Sequence, residues 1–212
     1  ACWATLLAIP LALWVAWLLA RREFWGKALL NAAVHLPLVL PPVVTGYLLL
    51  MAFGRNAPLG RALDAIGLQL AFHWSGAVLA AIIMGFPLMV RAMRLAIEAV
   101  DPRLEDAAAT LGAPRAAVFV RVTLPLILPG VLAGTVMGFA KAMGEFGATI
   151  TFVANIPGQT QTLPSAIWAA LQIPGGEGQA VAMVLMSSVI AVSAVLLSEV
   201  LARRVAKRIA GA

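Results

Sequence analysis

Apolar residues run along this chain in five long stretches that carry no acidic or basic side chain other than one histidine. They cover residues 1–20, 32–54, 74–90, 122–140 and 178–198, and Arg21-Arg22, Arg55, Arg91, Lys141 and Glu199 close them in turn. A helix needs roughly 20 apolar residues to cross a bilayer. Lipid offers no partner to a free N–H or C=O, so such stretches must be helical. The pattern predicts an all-α membrane protein with a single domain over residues 1–212. Its spans are expected at about 1–20, 34–54, 74–92, 122–144 and 178–201.

Residues 146–176 form a further charge-free run, interrupted by the polar segment NIPGQTQT at 155–162. The flanks FGATITFVA and LPSAIWAALQI are each too short to cross. They are expected to continue the fourth span and to form a short helix at the membrane surface, within an outer loop at 145–177.

Basic residues decide the orientation, because Lys and Arg collect in cytoplasmic loops. With five spans and the N-terminus outside, the inner segments hold Arg21, Arg22 and Lys27, then Arg91, Arg94, Arg103, Arg115 and Arg121, then Arg203, Arg204, Lys207 and Arg208. The outer loops hold only Arg55 and Arg61. A sixth span would move the C-terminal basic cluster outside. The net charge of +6 is thereby assigned to membrane topology and needs no nucleic-acid partner.

Composition agrees with that frame. Hydrophobic residues make up 62% of the chain and charged residues 11%, against roughly 25% charged in soluble domains. Lipid must therefore cover part of the surface. Cys2 is the only cysteine, and His35 and His73 lie far apart, so a metal site is not expected. In the first stretch the positive charges follow the apolar run, the reverse of a signal peptide. The chain opens at Ala1 already inside apolar sequence, so a preceding segment is expected.

The longest inner segment carries the most local information. Asp101 is suited to cap a helix, and Pro102 to occupy its first position. Leu104, Ala107, Ala108 and Leu111 follow at spacing i, i+3, i+4, i+7, one apolar stripe. Gly112 and Pro114 end the helix. A second helix then runs into the fourth span at Leu124-Pro125. A surface helix on lipid headgroups is one reading. The small side chains Ala107, Ala108 and Ala109, without the Trp, Phe and Lys of lipid-seeking helices, suit docking into a protein groove.

These residues resemble the Glu-Ala-Ala motif of bacterial ABC importer permeases of type I. Asp106, Ala107 and Ala108 take the first positions, Gly112 follows six residues after Asp106, and Val122, Leu124 and Pro125 close the motif. Asp106 stands where the family has Glu, with Glu105 just before it. The resemblance implies that loop 98–116 is a coupling element, with Glu105, Asp106, Ala107, Ala108, Leu111 and Gly112 facing an ATPase subunit. The segments HLPLVLPPVVTGYLLL, FPLMVRAMRLAIEAVD and KAMGEFGATITFVANIPGQTQTLPSAIW resemble the molybdate branch, while sulfate permeases share the Gly-Glu-Phe-Gly stretch. The implied assembly is a homodimer of this chain, two ATPase subunits that hold ATP-Mg, and a periplasmic or lipid-anchored oxyanion-binding protein, in the bacterial cytoplasmic membrane. Tungstate is a plausible co-substrate. The chain has no P-loop of its own: Gly26-Lys27 is preceded by Arg21 where the first glycine belongs. A passive channel or structural membrane protein is the rival class, separated by whether an ATPase co-purifies.

Three features bear on a pathway. Pro37, Pro41 and Pro42 interrupt the second span, and exposed carbonyls there suit a water-filled path or a simple kink. Gly130, Gly134, Gly138 and Ala142 recur every four residues, a seam for close helix packing that is either static or moves during gating. Lys141 and Glu145 are spaced for a mutual salt bridge. The alternative is that Lys141 attracts a dianion.

Overall fold

The structure is a computed structural model that describes residues 1–209. The side chains of Arg203, Lys207 and Arg208, three of the basic residues used above for orientation, lie outside the described ones. All regular elements among the described residues are helical. In chain order they are α1 (Cys2–Arg21), α2 (Lys27–Val39), α3 (Pro42–Phe53), α4 (Pro58–Asp64), α5 (Trp74–Glu98), α6 (Pro102–Thr110), α7 (Arg115–Val118), a wide π turn (Phe119–Thr123), α8 (Leu124–Met143), α9 (Gly147–Val153), α10 (Leu163–Leu171) and α11 (Glu177–Ile209). Among the described residues four helical stretches are long and apolar enough to cross a membrane, Cys2–Arg21, Trp74–Glu98, Arg115–Met143 and Glu177–Leu197, and the bent pair Lys27–Val39 with Pro42–Phe53 makes a fifth if it is one broken span.

Small residues organise the core. Ala4, Ala8, Ala12 and Ala16 recur every four residues along α1, and all are buried. They let α1 approach α5 closely, as small residues do between membrane helices. Ala8, Ala12, Val15, Ala16 and Leu19 join Val90, Met93 and Ile97 of α5 and Ile127 and Val131 of α8 in one cluster. The glycine seam of α8 meets α5 of the same chain. A methyl group on Gly138 would lie 2.5 Å from Met89 Sδ, and one on Gly134 would lie 3.1 Å from the Met89 carbonyl. The seam therefore closes within the subunit.

The second span is not one rod. α2 and α3 meet at a bend of 117°. Pro37 is tolerated inside α2, while Pro41 caps α3 and Pro42 is its first residue. Two consecutive prolines cannot continue a helix, but as first residues they start a new one without losing a bond. The predicted span at 34–54 is corrected accordingly: α2 begins at Lys27, and the chain turns sharply at residues 40–41.

The outer loop at 145–177 is corrected in its first half. FGATITFVA does not continue the fourth span. α8 ends at Met143, and α9 is a separate helix packed between α3 and α5. Ala148, Thr149, Phe152 and Val153 are buried there, and Ala148, Phe152 and Val153 form a second cluster with Leu49, Ala80 and Met84. Glu145 makes the break, since its Oε1 accepts the free N–H of Ala148 at 2.8 Å in the first turn of α9. α10 is the short helix foreseen in LPSAIWAALQI, started by a capping box between Thr162 and Ser165.

α11 is the most exposed long helix. Leu185, Val189, Val192 and Leu196 are uncovered by the rest of the chain. In a membrane that face meets lipid or another subunit.

Candidate functional site: the 98–116 loop and its anchorage

α6 is built by its ends. The Asp101 carboxylate accepts the Arg103 N–H at 2.9 Å, and Pro102 occupies the first helical position. At the other end Gly112 has φ +83. Its N–H reaches the Ala109 carbonyl at 3.0 Å, and the Ala113 N–H reaches the Ala108 carbonyl at 3.3 Å. That pair of bonds is a Schellman cap, and the left-handed residue it needs is most easily glycine. Gly112 has open space around the position of an added Cβ, so its requirement is conformational rather than steric.

The helix buries none of its residues. Leu104, Ala107 and Leu111 of the apolar stripe are exposed, and Ala108 is half-buried. Asp106 is exposed beside them. A stripe of this kind normally faces its own core. Here the chain leaves it uncovered.

Glu105 is held against the bundle. Its Oε1 accepts a hydrogen bond from Thr123 Oγ1 at 2.6 Å and lies 3.3 Å from Arg21 Nη2. Arg21 Nη2 also donates to the Val100 carbonyl at 3.1 Å, and Arg21 Nε is buried without a partner. Arg22 lies over the Trp17 ring, 5.3 Å from its centroid. A groove of about 870 Å³ opens between α1 and the loop, with Trp14, Trp17, Arg22, Asp106 and Phe119 on its walls.

The end of the motif explains the wide turn. Pro125 has no N–H for a bond to the carbonyl four residues back, and its ring crowds that carbonyl. The ladder widens just before it, and the Leu124 N–H bonds to the carbonyl of Phe119, five residues back. Val122 and Leu124 are half-buried, whereas Thr123 between them is buried against Glu105.

The pathway candidates lie at the other end of α8. Lys141 Nζ is 3.3 Å from Glu145 Oε2, with the carboxylate side chain 2% exposed and the lysine 32%. Pro42 lies against Gly147, two residues after Glu145, where an added Cβ would come 2.7 Å from the proline Cβ. The α2–α3 bend and the Lys141–Glu145 pair thus share one neighbourhood, while Pro37 stays within α2. At 1.5 Å per residue, Thr123 and Lys141 are about 27 Å apart along the helix axis.

His35 and His73 are held locally, by the Asn31 carbonyl at 2.8 Å and by Ser75 Oγ at 2.8 Å respectively. In the sequence Glu105 is only the residue before Asp106, and nothing there marks Arg21 or Thr123 as site residues. Arg21 was visible only as a span-ending charge. Thr123 occupies the position of the motif at which any residue is allowed.

The model for the binding-protein-dependent transport system inner membrane component family matches residues 8–207. The chain belongs to this family. It is 57% identical over 201 residues to the molybdenum transport system permease protein ModB of Escherichia coli K12, covering 94% of this chain and 88% of that one. It is 54% identical over 203 residues to ModB of Haemophilus influenzae, covering 95% and 89%. The fold of this inner membrane component matches a chain in the crystal structure of a bacterial alginate ABC transporter in complex with alginate pentasaccharide-bound periplasmic protein. The TM-score is 0.74 at 19% identity, over 96% of this chain and 75% of that chain.

Proposed function

We propose that this chain is the membrane-spanning subunit of an ATP-driven molybdate importer. The observation that carries the reading is α6: a helix capped rigidly at both ends, whose apolar stripe and Asp106 are left uncovered by the rest of the chain. Such a face suits a second protein, and in an inner membrane component of a transport system that protein is the ATPase. The permease relatives of two bacteria support molybdate as the cargo.

In this reading two copies of the chain assemble with two ATPase subunits, which hold ATP-Mg, and an oxyanion-binding protein delivers substrate from outside. The N-terminus lies outside and the C-terminus in the cytoplasm. Closure of the ATPase pair moves α6, and the dimer alternates between inward- and outward-open states. Glu105, Asp106, Ala107, Ala108, Leu111 and Gly112 form the coupling face and its supports, and Val122, Leu124 and Pro125 carry the motion into α8. The bend at Pro41 and Pro42, together with Pro37, lines the path. Lys141 keeps a third of its side chain exposed despite its pair with Glu145, so its charge is reachable by a dianion.

The test is uptake of labelled molybdate by the reconstituted complex, with tungstate and sulfate as competitors. ATP-dependent molybdate uptake, competed by tungstate at lower concentration than by sulfate, is expected. Uptake of sulfate in preference would reassign the cargo. A chain that never co-purifies with an ATPase would return it to the passive-channel class. Charge reversal at Glu105 and Asp106 together is expected to abolish coupled transport.

A further inference from the structure

We propose that Arg21 and Thr123 are positioning residues through which α6 moves the spans, and that the two adjacent carboxylates divide the work. Glu105 fastens the helix inward, and Asp106 faces the ATPase. This rests on the reading of α6 as the ATPase-docking helix.

α6 has no buried residue to hold it by packing. It rests on α7 and the wide turn. On either side the chain is non-helical, at Ala99–Asp101 and at Leu111–Pro114. A push on a helix flanked by two such joints is dissipated in them unless a side chain ties the helix to the bundle. Glu105 is that tie. One carboxylate oxygen takes Thr123 Oγ1 at 2.6 Å and the Arg21 guanidinium at 3.3 Å. Arg21 ends α1, and Thr123 immediately precedes α8. The same guanidinium takes the Val100 carbonyl at 3.1 Å, just before the cap of α6. Two spans far apart in sequence are thus joined to the docking helix at a single carboxylate. Charge-assisted hydrogen bonds are about twice as strong as neutral ones, which suits a tie that must transmit force. Leaving Arg21 Nε buried without a partner is the cost of that placement.

The test uses the full complex with its ATPase and binding protein. Arg21→Met is expected to keep the ATPase in the purified complex and to keep basal ATP hydrolysis. Molybdate moved per ATP should fall about tenfold, within the range by which mutations along a coupling network change the coupling. Arg21→Lys, which can still donate to Glu105 and to Val100, is expected to restore most of the yield. Thr123→Val, close in volume, is expected to lower it several-fold, and adding Glu105→Gln should lower it no further. Should Arg21→Met fail to insert, Thr123→Val decides. Unchanged molybdate per ATP in assembled Arg21→Met or Thr123→Val complexes overturns the proposal. So does loss of the ATPase from either complex, which would make the tie a docking contact. A wild-type chain that binds no ATPase instead overturns the reading of α6 itself.

Discussion

Lys141 Nζ stands 3.3 Å from Glu145 Oε2, and that carboxylate also caps α9 through the Ala148 N–H at 2.8 Å. One residue therefore starts a buried helix and neutralises a lysine in the last turn of α8. Lys141→Gln would leave the carboxylate buried and unpaired. We expect it to destabilise the subunit by roughly 2–4 kcal/mol, toward the lower part of the range for buried pairs because Lys141 is partly exposed. The double substitution with Glu145→Gln should recover most of the thermal stability in detergent, since a glutamine oxygen still caps α9. Uptake should remain low in the double variant if Lys141 serves anion passage. Recovery of uptake together with stability would assign Lys141 to the pair alone.

Two glycines of similar appearance should respond differently to Ala. A methyl group on Gly46 would meet the backbone of Ala148, with its Cα at 2.8 Å. On Gly138 it would meet the flexible side chain of Met89. Gly46→Ala must push α9 away from α3 and should cost about 1–3 kcal/mol. Gly138→Ala should cost less, because Met89 can change rotamer. Melting temperatures of the two purified variants compare them directly. Equal losses would mean that the α5–α8 seam is as rigid as the α3–α9 contact.

Gly112 separates folding from docking. Its φ of +83 penalises any side chain by about 1–2 kcal/mol, yet nothing of this chain occupies the space beyond. Gly112→Asn should be tolerated, since Asn adopts this conformation readily. Gly112→Trp should still yield an inserted subunit but one that no longer brings the ATPase through purification. An intact complex carrying Gly112→Trp would show that the docking face lies elsewhere.

Asp101→Ala removes the cap of α6 and should cost about 1 kcal/mol locally. Hydrogen exchange of the amides near residues 102–105 is the measurement, with faster exchange expected there and no change in α5 or α8. Uniform exchange across the three helices would mean that α6 opens only with the bundle.

Much of this architecture can be read directly from the residues, and the rest resists for physical reasons. α1, α5, α8 and the apolar part of α11 follow from length and the absence of charge, which lipid enforces. α6 follows from Asp101, Pro102 and Gly112, because caps act over three or four residues. Pro41-Pro42 announces a break but not its angle of 117°, which depends on what packs against it. α9 looks like a tail of α8 until Glu145 is seen to bond to backbone, and an apolar segment of seven residues has no periodicity that marks it as buried. The tie from Arg21 to Glu105 joins residues 84 apart in sequence. No local spacing rule reaches that far, so only the packing of α1 beside the loop reveals that Glu105 is tied to the bundle while its neighbour Asp106 stays exposed.

The wide turn at Phe119–Thr123 has a consequence for indexing. Each residue of an α-helix turns the chain by about 100°. The wide turn spends one residue more than a regular helix would on nearly the same rotation, so α7, on which α6 rests, and the glycine face of α8 stay in phase with their separate neighbours. The surplus residue is absorbed beside Pro125, where the hydrogen-bond ladder is already interrupted.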